Sequence, residues 1–238
     1  MRNLITPLLT ALAVFCASSC TTAARQDVGV LLRDIPRHNS FRYLSAGTLP
    51  EAYFEAAGET LEDPYIYLIL ADTKTPAARI IAFFTGDRYN HVSLSFDKSL
   101  KTMVSYNGGN GRSSPGLNQE TRQDLCGRPG AEIAVFKLFA GAGKKARILD
   151  RVRQINDEGS SYNRLGLIIK TSLKPNIMFC SQFVYTMLET AGLDYLDKKS
   201  GRVKPADFID EGEPSPLIWV SWFSFAKAEE LRPAPMVP

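Results

Sequence analysis

Residues 65–71 read Tyr-Ile-Tyr-Leu-Ile-Leu-Ala, an unbroken run of aromatic and aliphatic side chains bounded by a proline and an aspartate. Such a run between turn-forming residues is typical of a buried strand. Strands are also predicted at 91–96 and 101–107, and the polar turn between them favours an antiparallel hairpin. A further strand is predicted at 133–139. The glycine-rich stretch 107–116 is expected to be a loop.

Helical spacing of apolar residues appears in the segments between and after these strands. The pattern runs over 145–158 and over 180–191, and Gly192 stands where helices commonly end. A Thr-Pro start signal predicts another helix over 75–86, and a short helix is expected near 51–57. Strands and helices in this mixed order predict an α+β fold.

The composition excludes several classes of protein and site. The 238 residues are 45% hydrophobic and 22% charged, as in an ordinary globular chain. The 28 basic and 25 acidic side chains are spread along the sequence, so nucleic acid is not an expected partner. The chain has four cysteines, without a C-x-x-C pair, and only two histidines, which are poorly suited to form a zinc site. The glycine-rich motif of dinucleotide-binding proteins does not follow any of the predicted strands. No metal or cofactor is expected.

The N-terminus has the pattern of an export signal. A short basic start precedes an apolar run over 4–15, which is too short to span a bilayer, since that takes about 20 apolar residues. Small residues then precede Cys20, and this arrangement resembles the bacterial lipobox, whose cysteine is acylated. We therefore expect a signal peptide at 1–19 and an exported lipoprotein, anchored through Cys20 and facing the periplasm or the cell exterior. A plain secretory signal cut nearby is the alternative.

The remaining chain divides into three expected parts. Residues 20–63 are interpreted as the lipid attachment and an N-terminal tether, because their hydrophobic pattern is weak and broken by prolines. Residues 64–225 are expected to form one domain, and 226–238 a proline-rich C-terminal tail.

One cysteine stands at a position that favours reactivity. Cys180 lies in the first turn of a predicted helix, where the partial positive charge lowers the pKa of a thiol from about 8.5 toward neutrality. As the base, His91 is preferred over His38, because strand alternation places it with Ser93 and Ser95 on a polar face. The alternatives are an inert buried cysteine and a structural histidine.

Two stretches carry a resemblance to a known family. Residues 89–94 read Tyr-Asn-His-Val-Ser-Leu and residues 179–184 read Phe-Cys-Ser-Gln-Phe-Val. Together they resemble the signature stretches of circularly permuted, NlpC-type papain-like cysteine hydrolases, or permuted papain-like amidases. Histidine precedes cysteine here, as in that group and in the related lecithin:retinol acyltransferase-like proteins. The likeness covers about 65–208 and implies an antiparallel sheet packed against the helix that carries the cysteine.

The resemblance also implies roles for individual residues. Cys180 corresponds to the thiolate nucleophile and His91 to the imidazole, and a third polar group on the next strand orients the ring. Ser105 fills that third place, where relatives often carry a glutamate. Supporting positions are expected at Asn107, Asp72, Asp207 and Ser181.

These features predict a thiol-dependent hydrolase, an amidase or peptidase, acting by acyl transfer on an amide or ester carbonyl. Its substrate would be a peptide, another amide or a lipid-like molecule in the cell envelope. A lipid acyltransferase or thioesterase is one alternative, which an apolar groove near Phe84, Ile168 or Met178 would favour. A catalytically silent envelope lipoprotein is another, and a Cys126–Cys180 disulfide would consume the nucleophile.

Overall fold

The computed structural model describes most of the chain after residue 42. The described residues belong to one compact unit, Ser40–Pro238, and they are 43–75, 87–109, 113–163, 175–210 and 215–225. Several features of the sequence analysis lie outside these ranges. They are the predicted signal peptide, Cys20, His38, Phe84, Ile168, the C-terminal tail, and all but the first residue of the predicted helix 75–86.

A six-stranded antiparallel sheet forms the centre of the described structure, in the order β4 (Gly116–Gln119), β3 (Val104–Asn107), β2 (His91–Ser95), β1 (Tyr65–Asp72), β5 (Glu132–Phe139) and β8 (Ile218–Ser224). β1 is buried along nearly its whole length and pairs with β2 on one side and β5 on the other. A separate parallel pair joins β6 (Ser161–Tyr162) and β7 (Ile177–Met178).

Helices complete a mixed α+β fold and confirm that predicted class. The helices predicted at 51–57, 145–158 and 180–191 are present. None of the helices in the described ranges has the length and apolar character of a membrane span. The helices are α1 (Glu51–Gly58), α2 (Arg122–Cys126), α3 (Ala142–Glu158), α4 (Cys180–Ala191) and α5 (Asp207–Asp210), with a 3₁₀ turn at Ser200–Arg202.

The two faces of the sheet differ in composition at β2. Val92, Leu94 and Phe96 are fully buried in the main core, which they share with α4 residues such as Phe183. Because side chains alternate along a strand, His91 and Ser93 lie on the opposite face, as the sequence predicts. The apolar face therefore fixes α4 against the sheet, and the polar face is left for other contacts.

The described strands differ from the predicted ones at β3, β4 and β8, among others. β3 begins at Val104, three residues later than expected, because the Asp97 carboxylate accepts hydrogen bonds from the backbone N–H groups of Lys101 (3.1 Å) and Thr102 (2.7 Å) and holds them in a turn. The predicted loop 107–116 ends in an unpredicted strand, β4. The edge strand β8 was also not predicted.

The predicted tether does not extend to residue 63. Tyr53, Phe54 and Ala57 of α1 are buried in the main core, together with Leu49 before the helix. The side-chain oxygen of Asn156 accepts the Leu49 N–H at 2.9 Å. This part of the chain belongs to the folded domain because its few apolar residues share one helix face, a pattern too short to stand out in the sequence.

A buried ammonium group joins three segments of the domain. Lys145 of α3 is fully buried, and its Nζ donates to the backbone oxygens of Thr60 (2.7 Å), Asp63 (2.8 Å) and Phe96 (2.9 Å). These bonds compensate for the burial of the charge. They connect α3 to the segment before β1 and to the end of β2.

β4 begins at a glycine that has no room for a side chain. Gly116 has φ +145°, and a Cβ there would lie 2.5 Å from Ser160 Oγ and 2.6 Å from Ser45 Oγ. The same Ser160 hydroxyl accepts the N–H of Leu117 at 2.9 Å. The start of β4 is thus pressed against the segment after α3.

Candidate active site

The imidazole of His91 lies between a carboxylate and a thiol. Its Nε2 is 3.0 Å from Oε2 and 3.1 Å from Oε1 of Glu120, the residue that follows β4. The Cys180 thiol, at the start of α4, lies close enough to the same ring to contribute to the raised pKa of His91. Because Nε2 faces Glu120, Nδ1 is the ring nitrogen left for the sulfur. The arrangement is a Cys–His–Glu triad assembled from three separate elements.

The Glu120 carboxylate is held by donors on both oxygens. The Ser93 hydroxyl donates to Oε2 at 2.5 Å, and the Asn107 amide donates to Oε1 at 2.7 Å. The side chain of Glu120 is only 5% exposed. Both donors lie on the polar face of the sheet with His91. They fix the orientation of the carboxylate and hence that of the ring.

A second layer of hydrogen bonds holds Asn107. Its side-chain oxygen accepts from the Asn118 amide and from the backbone N–H of Gly109, each at 3.0 Å. The Asn118 amide also donates to the Ser114 carbonyl at 2.9 Å. The carboxylate is therefore connected, through two asparagines, to the described ends of the glycine-rich segment between β3 and β4.

The charges of the site reinforce one another. Burial disfavours the charged ring of His91, but the charges of Glu120 and Cys180, with hydrogen bonds to both, raise its pKa well above the ordinary value. Burial also acts against an ionised Glu120, yet the charge of His91 and hydrogen bonds from His91, Ser93 and Asn107 keep the pKa of this carboxyl below its usual value. Both shifts favour the pair in its charged form, imidazolium and carboxylate.

The helix that carries Cys180 begins without a capping side chain. Phe179 occupies the N-cap position and has no side-chain oxygen, so it cannot cap the first-turn N–H groups. Such groups are suited to stabilise a negative oxygen. Cys180 is 2% exposed and the His91 side chain 12%, so the ring forms the more open part of the pair.

Ser105 does not occupy the orienting position predicted for it. Its hydroxyl donates to the backbone oxygen of Val92 at 2.7 Å, and the group at His91 Nε2 is Glu120. The prediction is corrected because the carboxylate of Glu120, the residue after β4, reaches the ring, whereas the Ser105 hydroxyl bonds to the backbone of the neighbouring strand. The signal for Glu120 was the alternation of Gly116, Asn118 and Glu120 on one strand face, but that strand is short and rich in residues that disfavour strands.

The other supporting positions do not contact the ring in the described hydrogen bonds. Asp72 accepts from the Asn90 amide at 3.0 Å and so holds the residue that precedes His91. Ser181 donates to the Val203 carbonyl at 2.6 Å. Asp207 pairs with Lys198 at 3.0 Å. Asp72 thus anchors the segment that carries the histidine, and Ser181 the helix that carries the cysteine.

The remaining candidates of the sequence analysis have ordinary surroundings. Cys126 and Cys180 are both free thiols, so the alternative disulfide is not formed. Burial, with the nearby charge of Glu132, raises the pKa of Cys126. Met178 is 1% exposed within the main core and lines no groove. Within the described ranges, no group of three or more His, Cys, Asp or Glu side chains could hold a metal ion.

Comparisons of the chain with protein-family models, with curated proteins and with solved structures give no match.

Proposed function

We propose that this protein is a thiol-dependent hydrolase of the amidase or peptidase type, built on a circularly permuted papain-like fold. The observation that carries the proposal is the His91 ring between the Glu120 carboxylate and the Cys180 thiol. A nucleophile, a base within hydrogen-bond reach and a group that orients the base are the parts that covalent acyl transfer requires.

The reaction proceeds in two steps. The Cys180 sulfur attacks the carbonyl carbon of an amide or ester, and backbone N–H groups at the start of α4 stabilise the negative oxygen. The imidazolium of His91 donates its proton to the leaving nitrogen or oxygen as the bond to carbon breaks, which leaves a thioester. Water then attacks the thioester, gives a proton to His91 and releases the acid, and the thiolate and imidazolium are regenerated.

Each element of the triad has a defined part in this mechanism. Glu120 touches neither the sulfur nor the scissile bond, so it is a positioning residue that also favours the charged ring. Ser93 and Asn107 act one step further away, on the carboxylate. We place the reaction in the cell envelope on the basis of the N-terminal export pattern, with a peptide or other amide as substrate.

Alkylation across pH tests the proposal within a single molecule. The full-length chain is treated with iodoacetamide from pH 5 to 9, and mass spectrometry follows the peptides that contain Cys180 and Cys126. An ordinary thiol, with a pKa of about 8.5, is less than about 1% ionised at pH 6. At that pH we therefore expect Cys180 to react about 100-fold faster than Cys126, although Cys180 is more buried. Equal pH dependence for the two thiols would contradict the proposal.

Acyl-enzyme formation tests the chemistry itself. With p-nitrophenyl acetate as the probe, wild type should show a burst of p-nitrophenol and a transient acetyl group on Cys180. Cys180→Ala should lose both, and the matched variant Cys126→Ala should keep both. An unchanged burst in Cys180→Ala would rule this cysteine out as the nucleophile.

A further inference from the structure

Exposed apolar side chains concentrate at one edge of the sheet. Eight large hydrophobic side chains are exposed in the described part of the chain, and six of them lie on β8, directly after it or at the end of β5. Trp219 is 62% exposed and Trp222 48%. The other four are Phe139, Ile218, Phe223 and Phe225. Exposed apolar groups scattered singly need no explanation, but a contiguous group of aromatic side chains does.

The strand beneath this group lacks the charged residues and prolines that commonly protect a sheet edge. β8 is the last strand in the sheet order, and among the described strands only β5 pairs with it. Its sequence, Ile-Trp-Val-Ser-Trp-Phe-Ser, contains no charged residue and no proline. Monomeric proteins usually protect such an edge with charges, prolines or bulges, because open backbone groups pair with other strands. The pairing has one irregularity: the neighbouring β5 residues Val135 and Phe136 lie opposite Ser221 and Trp219, so Val220 is an extra, bulged residue of β8.

The exposed side chains cover both faces of the strand. Trp222 lies opposite Ala134, which belongs to the main core on the α4 side. Phe223 lies opposite Ile133, which belongs to the smaller core on the other side. Cross-strand partners share a face, so both faces are apolar next to the open backbone. A partner that covers both apolar faces and also bonds to the open backbone of β8 must therefore be a strand.

The area of the feature agrees with a second copy of the chain. An aromatic side chain offers about 150–250 Å² of surface, so the exposed parts of these six side chains amount to about 600 Å² per chain. Two copies would remove about 1,200 Å² from solvent, the lower limit of stable specific interfaces. A bilayer would leave the backbone groups of the edge without protein partners, and such groups are not tolerated in the hydrocarbon region.

We propose that β8 pairs antiparallel with β8 of a second copy across a twofold axis, so that the two sheets become continuous. A twofold contact needs only one self-complementary surface, and the residues Ile218–Ser224 supply it. The aromatic side chains of both copies then cover each other on both faces. The inference does not depend on the hydrolase proposal.

Sedimentation velocity tests the pairing. The full-length chain carries Cys20→Ser, which removes the expected acylation site, and a reductant prevents disulfide cross-links. We expect twice the single-chain mass of 26.3 kDa at about 100 µM and dissociation toward about 1 µM, as a low-micromolar Kd requires. A single-chain mass throughout this range would overturn the proposal.

Two double substitutions distinguish dimerisation through the whole of β8 from dimerisation through only one face of this strand. Trp219→Lys with Trp222→Lys alters one face, and Ile218→Lys with Phe223→Lys the other; each pair should raise the Kd at least about 30-fold. Tyr43→Lys with Leu44→Lys removes the other two exposed hydrophobic side chains and should leave the Kd unchanged. Dimerisation that survives both β8 pairs would overturn the proposal, as would monomers that pellet with phosphatidylglycerol vesicles through these residues.

Discussion

The two ends of the sheet are opposite exceptions to the rule that apolar side chains are buried and charged side chains are exposed. At the β2–β4 end, an imidazole and a carboxylate are buried and bonded to each other. At the β8 end, tryptophans and phenylalanines face solvent. A buried charged pair rarely makes a fold more stable. Aromatic surface that is exposed to water does not stabilise a fold either. Each end therefore holds residues whose placement the stability of the fold does not explain, and we assign chemistry to the first and association to the second.

The largest expected effect concerns the imidazole. His91→Asn should lower kcat/KM for p-nitrophenyl acetate about a thousandfold or more, because the nucleophile loses its base and the leaving group its proton donor. His38→Asn changes the chain's other histidine and should leave the rate unchanged. Activity retained in His91→Asn would show that the hydrogen bonds at the polar end of the sheet have a structural role only.

Removal of the carboxylate should have a smaller effect with a distinct pH signature. Glu120→Gln keeps the size of the side chain but removes the charge that raises the pKa of His91. We expect a 10- to 100-fold lower rate, and the alkaline limb of the pH–rate profile should move to lower pH. Glu51→Gln, at an exposed carboxylate paired with Arg153, serves as the control and should leave the profile in place. An unshifted alkaline limb in Glu120→Gln would show that this charge does not tune the ring.

The same ion pair should make stability depend on pH. The folded-state pKa of His91 is raised, so its contribution is complete below about pH 6.5 and is lost as pH rises through that raised value. The folded-state pKa of Glu120 is lowered, so its contribution is complete above about pH 4.5 and is lost as pH falls through that lowered value. The difference in unfolding free energy between wild type and Glu120→Gln should therefore be largest between about pH 4.5 and 6.5, at about 2 kcal/mol in urea titrations. A constant difference from pH 3 to 10 would contradict the linkage.

The smallest expected effect distinguishes the aromatic end from the core. At concentrations where the chain is monomeric, Trp222→Ser should lower the free energy of unfolding by only about 1 kcal/mol, since nearly half of this side chain is already in water. Leu94→Ala, in the buried face of β2, should cost about 3 kcal/mol. A large loss of stability in the monomeric Trp222→Ser variant would mean that the tryptophan supports the fold rather than an interface.

The sequence is most informative where the pattern is long and local. The buried strand at Tyr65 and the helix from Cys180 to Ala191 have clear periods, and the structure has both. The polar side of β2 also follows from alternation, which is why His91 could be selected as a candidate. These features depend on neighbouring residues alone.

The sequence is least informative where a residue acquires its role through distant packing. Glu120 reaches the ring only because β4 pairs with β3. The local sequence does not predict β4 clearly, because this strand begins at Gly116 and contains Asn118, and both residue types disfavour strands. β8 is a β-branched and aromatic run near the C-terminus, but its position at the edge depends on pairing with β5. The residues before β1 join the core for the same reason, through contacts with α3.

The crowded start of β4 links a site far from the chemistry to the triad. Gly116 stands four positions before Glu120, and the strand between them is too short to absorb a displacement. An alanine there would push the backbone away from Ser45 and Ser160, and the carboxylate at the far end would shift with it. If the proposed function is right, a single added methyl group should thus reduce turnover without altering any residue proposed to meet the substrate, because it would displace the carboxylate that orients His91.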